Sequence, residues 1–205
     1  MILLSLLLAG QTALDSERAL ARTMARDGQW TALRAFAAPD AVVFTPDPVR
    51  ASDAALRDRK NPPVPLRRRP TASYVACDGT MAVNTGSSVG AKGGHGYTTT
   101  VWTRQGVGRG ATWRWVVDHG DALPTPAAPV ARPTTERASC KGKPYSLYDT
   151  PEPGAVKEGH GQSPDGTLAW RWTIGEGGDR AFDAFLWNGE DMVQVVEDRV
   201  EARAR

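Results

Sequence analysis

Three side chains that could do acid–base chemistry end a tryptophan-rich stretch of this sequence. "TWRWVVDHGDAL", residues 112–123, closes with Asp118, His119 and Asp121. Neighbouring side chains of a strand point to opposite faces. One face should therefore carry Trp113, Trp115, Val117 and His119. That face is the more apolar one, so we predict that it lines a pocket with His119 at its end and Asp118 outside or at the rim.

The role of His119 has two interpretations at this point. An imidazole titrates near neutral pH, so His119 could act as a general base. Asp121 could then orient it or act alone. In the other interpretation, His119 is a core histidine with satisfied hydrogen bonds, and Asp118 and Asp121 cap a turn.

A second predicted strand, "HGYTTTV" at residues 95–101, brings Tyr97 and Thr99 onto one face. The Tyr97 hydroxyl could donate a hydrogen bond to a developing enolate, or the ring could serve packing alone. The predicted catalytic set is thus His119, Asp121 and Tyr97. The predicted pocket lining is Trp113, Trp115, Val117, Thr99 and Trp30.

The elements that must position these residues form an α+β pattern. Helical periodicity covers residues 14–28, 29–37 and 51–59, with Asp15 or Ser16 as the first cap and a short strand at 41–46. From residue 66 the period becomes alternating, and Asp78-Gly79 predicts a hairpin. Helices followed by an antiparallel meander are typical of an α+β layer fold.

The C-terminal third is predicted to form a separate piece. Residues 124–138 hold four prolines and predict an extended linker. Residues 139–205 predict a small three-stranded β extension, with strands at 167–174, 180–187 and 192–200. This extension should either dock on the open sheet or cover the pocket.

The N-terminus and the cysteines bear on the compartment. Residues 1–13 contain a short apolar run followed by small residues, which predicts a signal peptide and a periplasmic or secreted protein. The run is far below the roughly 20 residues that span a bilayer, so no transmembrane segment is expected. Cys77 and Cys140 either pair in a disulfide or remain two buried thiols.

Several functions are disfavoured by composition and spacing. A net charge of +2 gives no strong attraction for nucleic acid, and the arginines at 67–69 predict a solvated face. The histidines at 95, 119 and 160 lack metal-ligand spacing, so neither metal nor cofactor is expected. "GSSVG", residues 86–90, lacks the strand–turn–helix context that a nucleophilic Ser88 needs.

The helix–helix–strand–helix order, the segment "DGQWTALRAFAAPDAVVFTP" and the closing "TWRWVVDHGDAL" resemble the nuclear transport factor two-like superfamily, and more narrowly its SnoaL-like members and uncharacterised relatives. The resemblance covers residues 14–123. It implies a cone-shaped, curved antiparallel sheet packed on N-terminal helices around an apolar pocket. Members include steroid isomerases, polyketide cyclases, dehydratases, epoxide hydrolases and non-catalytic modules, so the fold alone assigns no chemistry.

Two hypotheses on function follow. The favoured one is an exported, non-catalytic module that binds an apolar small molecule or forms a homodimer. The alternative is a small-molecule isomerase, dehydratase, cyclase or hydrolase that uses acid–base chemistry at His119, Asp121 and Tyr97. Whether the chain is an enzyme stays open from the sequence.

Overall fold

Helices come first in the chain. The computed structural model describes residues 11–45 and 47–202, so the predicted signal peptide lies outside the described residues up to residue 10. The α-helices within these residues are α1 (Ala13–Asp27), α2 (Gln29–Phe36) and α3 (Ala54–Arg57). The cap of α1 is Thr12 rather than Asp15 or Ser16: the Thr12 hydroxyl accepts from the Asp15 amide at 3.1 Å, and the Asp15 carboxylate accepts from the Thr12 amide. Residues 11–13 therefore belong to the fold.

The main sheet has seven strands and is mixed. In spatial order they are β2 (Pro48–Arg50), β1 (Ala37–Phe44), β6 (Thr112–Ala122), β5 (His95–Gln105), β4 (Met81–Val89), β3 (Arg67–Val75) and β7 (Thr134–Arg137). The sheet is open and does not close into a barrel. The α+β class is confirmed, but the sheet is not purely antiparallel, since β1 runs parallel to β6 and β7 parallel to β3.

The chain folds as three layers with the main sheet in the middle. On one face, α1 and α2 bury Leu20, Trp30 and Leu33 against Trp102 and Trp115 of the sheet. The opposite face packs against a second sheet. That interface buries Val83, Val101, Val117, Leu168, Trp172 and Phe182. The C-terminal residues therefore dock on the sheet face opposite the helices.

The second sheet has four strands where the sequence predicted three. They are β8 (Ala155–Gln162), β9 (Leu168–Gly175), β10 (Arg180–Trp187) and β11 (Met192–Val200), in the order β11-β10-β9-β8. The unpredicted strand is β8, whose Gly159 and Gly161 pair with Trp172 and Trp170. A Cβ at Gly159 would lie 2.6 Å from the Trp172 ring, so only glycine at this position lets the indole pack against β8.

The predicted linker, residues 124–138, contributes a strand. Its last residues form β7 beside β3, and the Ala138 amide donates to the Val75 carbonyl at 2.9 Å. The next amide, that of Ser139, donates to Trp187 of the second sheet. Cys77 and Cys140 form a disulfide at this junction. The segment thus joins both sheets instead of only spacing them.

A β-bulge in β6 changes which side chains share a face. Val101 pairs with Val117, but Trp102 pairs with Trp115, so Val116 is an extra residue in β6. The predicted face of Trp113, Trp115, Val117 and His119 is therefore wrong. Trp115 faces the helices together with Asp118, whereas Val117 and His119 face the second sheet.

Candidate functional site

A cavity of about 350 Å³ lies between the helices and the main sheet, at the end of β6. Its apolar wall comes from the end of α1, from α2, from β1 and from the loop before β3. The residues of this wall are Met24, Trp30, Leu33, Val43 and Leu66. Another hollow, of about 420 Å³, lies between β1 and β9 but borders no buried charged side chain among the described residues. The first cavity is therefore the better candidate site.

The sheet side of the cavity is built from small residues. Gly96 and Gly120 lie there on adjacent strands, next to Ser88 and Thr98. A Cβ at Gly120 would come within 2.4 Å of the Tyr97 carbonyl oxygen, and one at Gly96 within 2.6 Å of the Asp121 carbonyl oxygen. Glycine is thus required for the backbones to approach this closely. The missing side chains also leave room for the cavity.

Three buried charges meet at the polar end of the cavity. An Arg68 terminal nitrogen, Nη1, lies 2.6 Å from Asp118 Oδ2, and the other, Nη2, lies 3.0 Å from Glu17 Oε1. Trp102 Nε1 donates to Glu17 Oε2 at 2.8 Å. The side chains of Arg68 and Glu17 are 2% and 4% exposed. Charges buried this deeply persist only when they are paired and hydrogen-bonded.

Asp118 is the member of this cluster with a free acceptor. Its Oδ2 atom accepts from Arg68 Nη1 and from the Thr100 hydroxyl at 3.2 Å. The other oxygen, Oδ1, has no hydrogen-bond partner in the described part of the chain. Asp118 is 9% exposed and borders the cavity. One carboxylate oxygen is therefore left for whatever occupies this space.

Burial and neighbouring charges shift the pKa values of Glu17 and Arg68. Burial raises the pKa of Glu17, and the neighbouring Asp118 adds to the rise, while Arg68 opposes it. Burial alone would lower the pKa of Arg68, but the carboxylates of Asp118 and Glu17 outweigh it and raise that pKa. Arg68 hence stays charged, and Glu17 is the group that takes up a proton as the pH falls.

The raised pKa of Glu17 predicts a pH-dependent stability. A carboxyl group whose pKa is raised by folding stabilises the protein below its ordinary value of 4.5 and loses that contribution as the pH rises through the folded value. As the pH rises from 4.5 to the pKa of Glu17 in the folded protein, the free energy of unfolding of Glu17→Gln should increase relative to that of the wild type. The increase should be up to about 1.4 kcal/mol per pH unit. Urea unfolding of both proteins at several pH values checks this. The exposed Glu136→Gln variant corrects for the change in net charge, and a pH-independent difference for Glu17→Gln would contradict the prediction.

The predicted catalytic residues His119, Asp121 and Tyr97 border the cavity, but the polar groups of His119 and Asp121 engage the second sheet. His119 Nδ1 lies 3.2 Å from Asp198 Oδ2, and Asp121 Oδ2 lies 2.8 Å from Arg180 Nη2. Because β1 pairs with β6 only as far as Asp118, residues from both faces of β6 reach the cavity edge.

Two further polar atoms of this predicted set are out of reach of solvent. His119 Nε2 and the Tyr97 hydroxyl are buried, without a hydrogen-bond partner among the described residues. The imidazole packs edge-on to Phe44 and stacks on Phe182. Burial raises the pKa of Tyr97, and the nearby Asp198 and Asp121 carboxylates raise it further. A catalytic role of these residues stays a prediction, and this arrangement offers neither of these two atoms to the cavity.

The predicted pocket lining divides between the layers. Trp30 lies in the cavity wall. Trp113 and Trp115 instead pack under the helices, where their indole nitrogens donate to the carbonyls of Gln11 and Leu33. Val117 and Thr99 face the second sheet, Val117 because of the bulge at Val116. These four residues do not line the cavity.

Sequence reasoning missed the buried cluster of Glu17, Arg68 and Asp118, although two signals pointed to it. Glu17 is spaced three and seven residues from Leu20 and Met24, on the buried stripe of α1. Arg68 is the middle residue of "RRR", and strand alternation turns it away from Arg67 and Arg69. A charged residue within an apolar stripe needs a buried partner.

Comparisons with known proteins add little to this geometry. No protein-family model matches the chain, and no curated protein matches it. A crystal structure from Thiobacillus denitrificans, described as a putative calcium/calmodulin-dependent protein kinase type II association domain, is similar over 55% of this chain and 95% of its own. The TM-score is 0.42 and the sequence identity 16%. A similarity at this level decides nothing about function.

The described residues form neither a membrane-spanning helix nor a metal-binding cluster. None of the helices in residues 11–202 is long and apolar enough to cross a membrane. Within the same residues, no group of three or more His, Cys, Asp and Glu side chains is placed to hold a metal ion.

Proposed function

We propose that the chain is a small-molecule-binding module of the nuclear transport factor two-like kind, with its ligand in the cavity between the helices and the main sheet. The observation that carries the proposal is an apolar cavity ending at a buried carboxylate, Asp118, with one oxygen unpaired among the described residues. Ligand sites are typically apolar hollows with a few fixed polar groups. The close approach of strands at Gly96 and Gly120 supports the cone-like curvature that the resemblance implies.

Ligand binding is favoured over dimerisation through the sheet. A module that dimerises through its sheet needs an exposed apolar sheet face. Here the face opposite the helices packs Val83, Val101 and Val117 against the second sheet of the same chain. The surface that a partner copy would use is thus largely occupied. A homodimer stays a prediction, to be checked by native mass spectrometry.

Fluorescence titration with N-phenyl-1-naphthylamine, an apolar dye that brightens away from water, tests the proposal. We expect saturable binding to one site in the wild type. Ala122→Trp places an indole at an exposed position that borders the cavity, and it should abolish binding. Ala131→Trp makes the same change at an exposed residue of the linker segment and should bind like the wild type. Equal binding by both variants, or no binding by the wild type, would refute a ligand site in this cavity.

Acid–base catalysis is the second candidate, and one observation favours it. The Asp118 carboxylate has a free oxygen at the cavity, as a general base requires. The base would then be Asp118 rather than His119 or Asp121. Deuterium exchange at the α-carbon of 2-tetralone, followed by NMR, tests this. We expect acceleration that is lost in Asp118→Asn and kept in His119→Gln; exchange no faster than in buffer would exclude proton abstraction from such ketones.

Export to the periplasm or the outside is also part of the proposal. It is supported by the apolar run at residues 2–9 and by the Cys77–Cys140 disulfide, since disulfides persist mainly in oxidising compartments. Mass measurement of the chain from the periplasmic and culture fractions of its host tests this. The sequence predicts cleavage between Ala9 and Ala13, and the roles of Gln11 and Thr12 in the fold narrow the expected mass to cleavage before Gln11. A full-length chain in the cytoplasm would overturn the proposal.

A further inference from the structure

We propose that the ligand of this cavity carries a hydrogen-bond donor, a hydroxyl or ammonium group, that binds Asp118 Oδ1, and that the cavity discriminates against carboxylates. The inference rests on the proposed function and names the chemistry of that same site. It depends on the contacts of the buried cluster formed by Glu17, Arg68 and Asp118, which we call the charged cluster.

The first step concerns the acceptor. An ionised carboxylate offers only lone pairs. Both contacts to Asp118 fall on Oδ2, which leaves Oδ1 free in the described part of the chain. Arg68 also fixes the carboxylate in place through the 2.6 Å contact. A ligand that fills the cavity removes Oδ1 from water, and an acceptor buried in this way without a partner is costly. A ligand that donates to Oδ1 therefore gains more than one that cannot.

The second step concerns the guanidinium, which would be the natural partner of an anionic ligand. The Arg68 terminal nitrogens already contact Asp118, Glu17 and the Thr100 hydroxyl. The side chain is 2% exposed, and Nε, which has no hydrogen-bond partner among the described residues, is buried. Arg68 therefore presents almost no surface for a carboxylate, in contrast to Asp118, whose side chain is 11% exposed.

The third step concerns net charge. The charged cluster contains one guanidinium and two carboxyl groups, so its charge is zero when Glu17 is protonated and negative when Glu17 is ionised. With Asp118 ionised it is never positive. In a space with apolar walls such a charge is weakly screened. An anion is therefore repelled when Glu17 is ionised and gains no attraction when Glu17 is protonated, whereas an alcohol or an amine can donate to Oδ1 in both states.

The experiment uses three molecules on one rigid hydrocarbon scaffold: adamantan-1-ol, adamantan-1-amine and adamantane-1-carboxylate. Each displaces N-phenyl-1-naphthylamine from the full-length protein as purified, at one pH and ionic strength. We expect the better of the alcohol and the amine to bind at least about tenfold more tightly than the carboxylate, the cost of about one unmade hydrogen bond. Whichever of these two binds better identifies the donor as neutral or cationic.

Asp118→Asn is the informative variant. If the carbonyl of the introduced amide keeps the contact to Arg68, its NH2 group replaces the free acceptor by a donor. The preference of the wild type for the amine over the carboxylate should then shrink by about tenfold. The comparison within the wild type needs no variant, so a failure of Asp118→Asn to fold leaves the test intact.

The outcomes separate the two proposals. If the dye binds but the carboxylate competes as well as the alcohol and the amine, the inference on ligand chemistry is wrong and the binding function stands. If the dye binds and none of the three displaces it, the inference is also wrong. If the dye does not bind at all, the proposed function itself fails.

Discussion

Replacing Arg68 by methionine is expected to lower the free energy of unfolding by about 3–5 kcal/mol, the usual cost of breaking a buried ion pair from one side. The variant would leave the Asp118 and Glu17 carboxylates close together, with side chains 11% and 4% exposed and without the Arg68 cation between them. Methionine keeps most of the apolar stem, so the loss reports mainly the charge. Urea unfolding followed by tryptophan fluorescence measures it.

Two neighbours of Arg68 provide matched controls. Arg67 and Arg69 lie on the same strand, and both are exposed. Their methionine variants should stay within about 0.5 kcal/mol of the wild type. Adding Glu17→Gln and Asp118→Asn to Arg68→Met removes the unpaired charges and should restore part of the stability. If Arg68→Met costs no more than Arg67→Met, the charged cluster does not stabilise the fold.

Removing the disulfide has the second large effect that we expect. Cys77 and Cys140 are 63 residues apart in sequence. Closing a loop of that length constrains the unfolded chain, so the Cys77→Ser/Cys140→Ser variant should lose about 4 kcal/mol. The bond also holds the junction where Ser139 contacts Trp187 of the second sheet. Unfolding in urea measures the loss.

Reduction of the wild type is the control for this prediction. The wild type in excess reductant should unfold at the same urea concentration as the double serine variant. Each oxidised wild-type sample should show no free thiol from either cysteine. A double variant as stable as the oxidised protein would contradict a stabilising role for the bond.

The local pattern predicted much of the architecture. Alternation identified the strands from residue 66 to 122, and Asp78-Gly79 forms the predicted hairpin turn, with Gly79 at a φ of +70°. The buried stripe of Leu20 and Met24 identified α1. These features depend on residues close in sequence, whose geometry is set by the period of the element and by turn chemistry.

The candidate site could not be predicted in the same way. Its charged cluster joins α1, β3 and β6, and Arg68 and Asp118 are 50 residues apart. No local rule brings such residues together. The strand β8 was missed for a related reason. Its Gly159 and Gly161 resemble a loop until the tryptophans of β9 are placed against them.

The bulge at Val116 has a consequence for anyone redesigning this strand. With a regular ladder through Val116, the imidazole of His119 would enter the hollow and the carboxylate of Asp118 would leave it. The same letters therefore encode two different binding sites, one acidic and one basic. Which of them the chain builds depends on whether Val116 bulges out of the ladder or pairs within it. Deleting Val116 would keep Asp118 in the hollow, because Trp115 and Val117 would then be adjacent, as their partners Trp102 and Val101 are.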